Sequence, residues 1–271
     1  MMRDYEWLLR EKYNGVPSPE FEADKARLDA GEPLAYLIGH TPFLNTTTHL
    51  DSHPLIPRPE TEFWVERAIS SIQTNFYRGL TPVKKVVYVL DLCAGSGAIG
   101  VAVAKAIPQS HVTFLELDKA HLPTIAKNLA DANISCTRYQ IFESDLFSSL
   151  TKNVNRKDLL ISDTLNRKDL FTFDFILTNP PYIDPAVDRA EASVKAHEPH
   201  LALYGGEAGM EFIARIIAET PQYLTKGGHL WIEHEPEQTA ALEALAKEYG
   251  FTAQTHKDQY GVERFSILRP I

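Results

Sequence analysis

The sequence predicts an α/β fold with a Rossmann-like sheet that is mostly parallel and has an antiparallel last strand. A β-branched strand, a glycine-rich turn and a small-residue helix follow one another over residues 86–106, as in the first unit of a nucleotide-binding sheet. Near the other end, strands predicted at 251–256 and 262–268 are separated by a short connection, so they form a hairpin. A chain of 271 residues with 44% hydrophobic content can fill one such domain and a small appendage.

The first part of the chain predicts this appendage as two short amphipathic helices. Apolar Trp7 and Leu8 belong to the first helix, and Phe21 and Leu28 belong to the second. The segment between them, residues 14–19, contains glycine and two prolines and is therefore predicted as a loop.

Cofactor contacts are predicted in the glycine-rich turn after the first strand of the sheet. Gly95 and Gly97 permit a positive φ and let the backbone approach a ligand closely. Their spacing from Asp91 differs from the dinucleotide fingerprint, and an acidic residue at a strand end suits a cationic group better than a pyrophosphate. The predicted cofactor-binding residues of this turn are Asp91, Cys93, Ala94, Gly95, Ser96 and Gly97.

Two further strand ends predict acidic cofactor contacts. The strand at 111–118 places Glu116 at its tip, where doubly wound folds bind both ribose hydroxyls. Asp118 is then predicted to cap the helix that follows. At the next strand tip, Asp145 and Leu146 combine a carboxylate with an apolar side chain, which suits the exocyclic amine and one face of an adenine.

The most informative segment is Asn179-Pro180-Pro181-Tyr182, which follows an apolar strand predicted at 173–178. Two prolines cannot continue a central strand, so the chain leaves the sheet as a rigid, extended turn. The Asn179 side-chain oxygen and the Pro180 carbonyl can then accept both N–H bonds of a planar NH₂ group. We predict Asn179 and Pro180 as catalytic residues and Asn179 also as a cofactor contact. All four residues are predicted to bind substrate, with Tyr182 stacked on its side chain.

The C-terminal part is predicted to complete the sheet. A helix is expected at 208–220 and a strand at 229–233, after a Gly-Gly turn. An amphipathic helix follows at 237–249 and ends at Gly250, because glycine is favoured just after a helix.

Together, these contacts describe a ligand with a ribose, a base and a cationic or amino-acid end. S-adenosylmethionine fits this description better than NAD, because none of the predicted contacts forms a pyrophosphate cradle. Residues 91–99 and 179–183 accordingly resemble class I methyltransferases that act on a planar amide or amine nitrogen.

A narrower resemblance covers the chain from residue 32 to its end. Residues 33–39 (Pro-Leu-Ala-Tyr-Leu-Ile-Gly), 55–62 (Leu-Ile-Pro-Arg-Pro-Glu-Thr-Glu) and 198–209 are similar to the release-factor glutamine N5-methyltransferases of the HemK/PrmC type. This resemblance implies methyl transfer from S-adenosylmethionine to the amide nitrogen of a glutamine at a GGQ-type site in a peptide chain release factor. Two alternatives stay open: an exocyclic amine of adenine or guanine in nucleic acid, or a glutamine in a ribosomal protein.

The chain departs from the family pattern at three places. Cys93 stands where members usually have glycine, Glu116 where they usually have aspartate, and residues 233–235 read Glu-His-Glu instead of Glu-Ile-Gly. Glu116 keeps the negative charge, so cofactor binding is expected to survive. Cys93 is expected to pack beside the cofactor, because methyl transfer to an amide needs no covalent step.

The resemblance also implies a domain organisation. The predicted parts are a reduced helical appendage at 1–31, a connecting segment at 32–80 and the methyltransferase domain at 81–271. Pro57 and Pro59 make the segment 55–62 rigid and extended, so we expect it to pack beside the Asn179 loop and line a substrate channel. The appendage is expected to contact the protein partner.

Composition and charge limit the function classes. Thirty-six acidic and 27 basic residues give a net charge of −9 without a basic stripe, so no direct nucleic-acid contact is expected and a basic protein partner is favoured. Two cysteines, Cys93 and Cys136, are typical of a reducing compartment, so we expect a cytoplasmic protein, or a mitochondrial matrix one if the source is eukaryotic. We expect no membrane span, no metal and a monomer.

One internal repeat has no assigned role. Asn-Arg-Lys-Asp-Leu occurs at 155–159 and again at 166–170, between two predicted strands. A duplicated loop insertion is the simpler interpretation, and a partner-binding element is the alternative because arginine and lysine could contact another molecule.

Overall fold

Three short helices precede the large sheet. The computed structural model describes residues 2–77, 86–151, 171–187 and 189–271. The first helices are α1 (Met2–Tyr13), α2 (Pro19–Asp29) and α3 (Leu34–Ile38). Leu8, Phe21 and Leu37, one from each helix, are buried together in a small core of their own. The two predicted helices are therefore confirmed, and a third packs against them. The repeated segments at 155–159 and 166–170 lie outside the described residues.

A hairpin and a long helix lead from these helices to the sheet. They are β1 (His40–Phe43), β2 (Thr46–His49) and α4 (Pro59–Tyr77), with β1 antiparallel to β2. Residues 55–58 lie outside any helix or strand, and the second half of the segment 55–62 forms the first turn of α4. This differs from the prediction because Pro59 fits the first helical position, while Glu60 and Glu62 face the positive end of the helix dipole.

Among the described residues, the large sheet has seven strands. They are β3 (Val87–Leu92), β4 (Ser110–Glu116), β5 (Tyr139–Glu143), β6 (Phe173–Thr178), β7 (Leu224–Glu233), β8 (Phe251–Lys257) and β9 (Glu263–Pro270). Their order is β5-β4-β3-β6-β7-β9-β8, in which the pairs from β5 to β7 are parallel and β9 is antiparallel to both neighbours. The predicted α/β class with an antiparallel last strand is confirmed.

Helices cover both faces of this sheet. They are α4, α5 (Ala98–Ala106), α6 (Leu122–Asp131), α7 (Ser148–Thr151), α9 (Glu211–Glu219) and α10 (Thr239–Glu248). A further short helix, α8 (Ala192–His197), has no buried residue. Side chains alternate along each strand. On β3, Val89 therefore joins the core that contains Trp64, whereas the next residue, Leu90, joins the opposite core with Ile213 and Leu242.

Two C-terminal elements begin at other residues than predicted. β7 begins at Leu224 and runs through Gly228, where the sequence predicts a turn. A Cβ at Gly228 would lie 2.9 Å from the Asp174 carbonyl oxygen, so the glycine admits a close neighbouring strand. α9 begins only at Glu211, because the chain first passes beneath Tyr182: a Cβ at Gly209 would lie 1.9 Å from the Tyr182 carbonyl oxygen.

The strand order places the predicted motifs side by side. From β3 the chain builds outward through β4 and β5, and it then returns to place β6 on the other side of β3. This reversal is the point where open α/β sheets bind ligands, beyond the carboxyl ends of the strands. The glycine turn follows β3, and the Asn179 loop follows β6.

Candidate active site

The glycine turn between β3 and α5 is built from left-handed residues. Gly95 and Gly97 have φ of +54° and +78°, which glycine adopts without steric cost. Cys93 has φ of +60°, a conformation that side-chain-bearing residues rarely adopt, so the glycine usual at this position in the family fits the backbone better. Burial is the main cause that raises the pKa of the Cys93 thiol, which therefore stays protonated at neutral pH.

Glu116, at the tip of β4, supports this turn directly. One carboxylate oxygen accepts the Gly95 N–H at 2.7 Å, and the other accepts the Asp118 N–H at 2.8 Å. The side chain is 8% exposed and lines the cleft above the sheet. Asp118 caps the turn that follows by accepting the Ala120 N–H, as predicted.

Asp91, predicted as a cofactor contact, lies away from the cleft. It is fully buried beneath the turn, where Oδ2 accepts the Gly100 N–H at 2.8 Å, and it does not line the cleft. Burial is the main cause that raises the pKa of its carboxyl, and the Glu116 charge adds to this. The position of Asp91 thus supports a role in bracing the turn and gives no support to direct contact with a cofactor.

The third strand tip contributes Asp145 and Leu146. Both line the cleft. Leu146 is buried with φ of +45°, while Asp145 is exposed and forms an ion pair with Arg215 at 2.9 Å. This arrangement keeps an apolar surface and an acidic rim at the same end of the cleft.

The Asn179 loop leaves β6 at the centre of the sheet. Asn179 is half-buried, and its amide nitrogen donates to the Thr61 hydroxyl at 3.2 Å. Thr61 lies in the first turn of α4, so the segment 55–62 does pack beside the Asn179 loop, as predicted. The Tyr182 hydroxyl instead points into the protein and donates to Glu233 at 2.8 Å.

Glu233, at the end of β7, is the site residue that the sequence alone did not identify. It is 1% exposed, and its carboxylate accepts hydrogen bonds from Thr61, Trp64 and Tyr182 at 2.7–2.8 Å. Burial raises the pKa of this carboxyl, although the three donors oppose the shift. Its position at a strand tip beside β6 is the signal that could have found it.

A second buried carboxylate, Glu198, connects the segments 55–62 and 198–209. Glu198 accepts the Ile56 N–H at 3.0 Å and an Arg58 guanidinium N–H at 2.6 Å. Its side chain is 1% exposed, so this ion pair is largely shielded from water. The pair fixes the segment that contains Leu55 and Pro57, two residues that line the cleft above the sheet.

Two cavities meet at Asn179. The larger is a cleft of about 1060 Å³, part of it open to solvent, and it borders the strand tips. Of the predicted residues, it is lined by Cys93, Ala94, Gly95, Ser96, Glu116, Asp145, Leu146, Asn179 and Pro181, together with Leu55, Pro57 and Thr61. The smaller spans about 570 Å³, also partly open to solvent, and is lined by Asn179, Pro180, Tyr182, Leu55 and Arg58, among others. Gly97, like Asp91, lines neither cavity.

Within the part of the chain that the structure describes, no group of three or more His, Cys, Asp or Glu side chains is arranged to hold a metal ion. None of the helices in that part is both long enough and apolar enough to cross a membrane.

Comparisons with known proteins agree with this geometry. Residues 78–162 match the family described as "Methyltransferase small domain". The chain is 33% identical over 268 residues to a release factor glutamine methyltransferase from Rhodopirellula baltica, covering 96% of this chain and 83% of that protein. It is 34% identical over 241 residues to one from Leptospira interrogans, covering 88% and 74%. A solved S-adenosylmethionine-dependent methyltransferase from Agrobacterium tumefaciens shares the fold, with a TM-score of 0.50, 13% identity and coverage of 84% and 68%.

Proposed function

The chain belongs to the release factor glutamine methyltransferase family, and from this premise we propose that it transfers a methyl group from S-adenosylmethionine to the side-chain amide nitrogen of a glutamine in a peptide chain release factor. The observation that carries the proposal is the position of Asn179, whose side chain lies where the two cavities meet. Thr61 holds its amide nitrogen, so Oδ1 is the end turned away from Thr61 and free to accept from a substrate.

The larger cleft has the chemistry that S-adenosylmethionine requires. Among the described residues lining it there is no lysine or arginine to cradle a pyrophosphate, whereas Glu116, Asp118 and Asp145 supply carboxylates. We propose that Glu116 binds the ribose hydroxyls, that Leu146 and Asp145 contact the adenine, and that the glycine turn lies against the amino-acid end. When bound, the cofactor supplies an electrophilic methyl group on a sulfonium.

The smaller cavity is the proposed place of the glutamine side chain. Pro180 and Tyr182 line it, and Asn179 borders it from the cofactor side. In this arrangement Asn179 Oδ1 and the Pro180 carbonyl accept the two N–H bonds of the glutamine amide. The amide plane is then fixed, so the nitrogen presents its π face toward the cleft.

Positioning is the main contribution that these residues make. An amide nitrogen is a weak nucleophile because its lone pair is delocalised into the carbonyl. Holding it in the attacking geometry can supply several of the about 7–11 kcal/mol available from orientation. Both hydrogen bonds strengthen as positive charge develops on the nitrogen, and no strong general base is needed since the methylated amide releases its proton readily.

Methyl transfer from labelled cofactor to a purified release factor tests the proposal. Asn179→Ala should still bind cofactor yet lose about 10²–10³-fold in rate, the typical loss for one preorganised hydrogen bond. Asn179→Asp keeps an acceptor and should recover part of the rate. Asn45→Ala removes an exposed asparagine from the β1–β2 turn and is the matched control.

The acceptor must be identified in the same assay. The label should reside on one glutamine of the release factor, with total RNA, DNA and ribosomal protein present as competitors. Label on adenine or guanine, or near-native transfer by Asn179→Ala, would contradict the proposal. A monomeric state, a cytoplasmic location and the lack of nucleic-acid contact stay predictions, supported by the net charge of −9 only where nucleic acid is concerned.

A further inference from the structure

A buried carboxylate lies behind the Asn179 loop, outside both cavities. Glu233 Oε2 accepts from Thr61 Oγ1 and from Trp64 Nε1, each at 2.7 Å, and Oε1 accepts from the Tyr182 hydroxyl at 2.8 Å. These donors come from α4 and from the loop after β6, so one side chain connects β7 to both of these elements.

The direction of these hydrogen bonds determines how Asn179 is oriented. A threonine hydroxyl has a single proton, and Thr61 gives it to Glu233. Only lone pairs of Thr61 Oγ1 then face Asn179, and they can pair with the NH₂ end of its amide but not with the oxygen. Rotating the amide by half a turn would place two acceptors against each other.

Trp64 and the ionised form of Glu233 both favour this direction. The indole N–H can only donate, so the oxygen it contacts on Glu233 must be an acceptor. That same oxygen accepts the Thr61 proton. An ionised Glu233 has no proton to give, so the alternative, in which Glu233 donates to Thr61 and Thr61 donates to Asn179, would require a protonated carboxyl whose hydroxyl oxygen also accepts from Trp64.

We propose that Glu233 is a positioning residue which, through Thr61, holds the Asn179 amide with Oδ1 toward the substrate. The proposal rests on the proposed function, because it assigns Oδ1 as an acceptor for the glutamine amide. Tyr182 extends the same control to the other end of the loop: its hydroxyl is held by Glu233, and its carbonyl accepts from Gln238 Nε2 at 2.7 Å.

A double-mutant cycle between Thr61 and Asn179 tests the proposal. Thr61→Val removes the hydroxyl at nearly constant shape and should lower kcat about tenfold or more, with the glutamine-substrate KM changed less. In the Asn179→Ala background the same change should alter kcat less than about twofold, because the group it positions is gone. Thr61→Ser should restore most of the loss. Thr220→Val, which removes a buried hydroxyl bonded to the Ile216 carbonyl, is the matched control.

A second pair of variants tests Glu233 itself. Glu233→Gln can keep its oxygen on Trp64 and Thr61 while its NH₂ donates to the Tyr182 hydroxyl. Its kcat should therefore be at least about tenfold higher than that of Glu233→Met, whose thioether sulfur is only a weak acceptor. Where Glu233→Met does not fold, the cycle with Thr61→Val decides.

The possible outcomes separate this inference from the proposed function. Equal fold losses for Thr61→Val in the wild-type and Asn179→Ala backgrounds would overturn the inference, as would a Glu233→Gln variant no more active than Glu233→Met. An active wild type with an inactive Asn179→Ala and a normal Thr61→Val would overturn it while the proposed function stands. Absence of methyl transfer by the wild type would instead remove the proposed function.

Discussion

Replacing Glu116 should weaken cofactor binding in a way that depends on both of its carboxylate oxygens. In Glu116→Ala the N–H groups of Gly95 and Asp118 lose their acceptors, and the proposed ribose contact is lost as well. In Glu116→Gln only one oxygen remains. Whichever way the new amide is turned, its NH₂ group then faces a backbone N–H, so this nearly isosteric change should also weaken cofactor binding.

The size of the effect follows from the loss of a charged hydrogen-bond partner. Such a loss costs about 1–3 kcal/mol, which corresponds to an increase of about 5- to 150-fold in the dissociation constant of S-adenosylmethionine. Because Glu116 is 8% exposed, water replaces the missing acceptor poorly, and we expect the upper part of this range for Glu116→Ala.

Titration calorimetry with S-adenosylmethionine measures this constant directly. Glu143→Ala is the matched control, because Glu143 lies opposite Glu116 on the neighbouring strand but is exposed and does not line the cleft. A dissociation constant for Glu116→Ala within about twofold of the wild-type value would refute the reasoning, as would an equal effect of Glu143→Ala.

Two further predictions concern ionisation. At neutral pH, iodoacetamide should alkylate exposed Cys136 first and Cys93 at least about tenfold more slowly, because burial raises the pKa of the Cys93 thiol; equal rates by mass spectrometry would contradict this. Burial lowers the pKa of His229 from 6.5 to about 4, so the folded protein keeps this ring neutral while the unfolded chain takes up a proton. The free energy of unfolding in urea should therefore fall as pH decreases from about 6.5 to about 4, and His229→Gln, which keeps an acceptor for Arg269, should flatten that fall; an unchanged slope would contradict it.

The sequence by itself determined the features that depend on local chemistry. Glycines with positive φ at 95 and 97, two prolines after β6 and an acidic residue at the tip of β4 mark strand ends whatever the surrounding packing is. Because the carboxyl ends of parallel strands meet at one edge, these signals were enough to predict the cofactor cleft and the Asn179 loop at the centre of the sheet.

Only the tertiary structure decided which side chains meet behind that edge. Thr61 and Glu233 are separated by 172 positions, and their contact depends on how α4 packs against the end of β7. Asp91 and Tyr182 show the same limit, because their neighbours below the turn and behind the loop direct one carboxylate and one hydroxyl into the protein rather than into the cleft. A buried polar side chain must find a partner wherever the fold supplies one, and that partner is set by long-range packing instead of by the local sequence pattern.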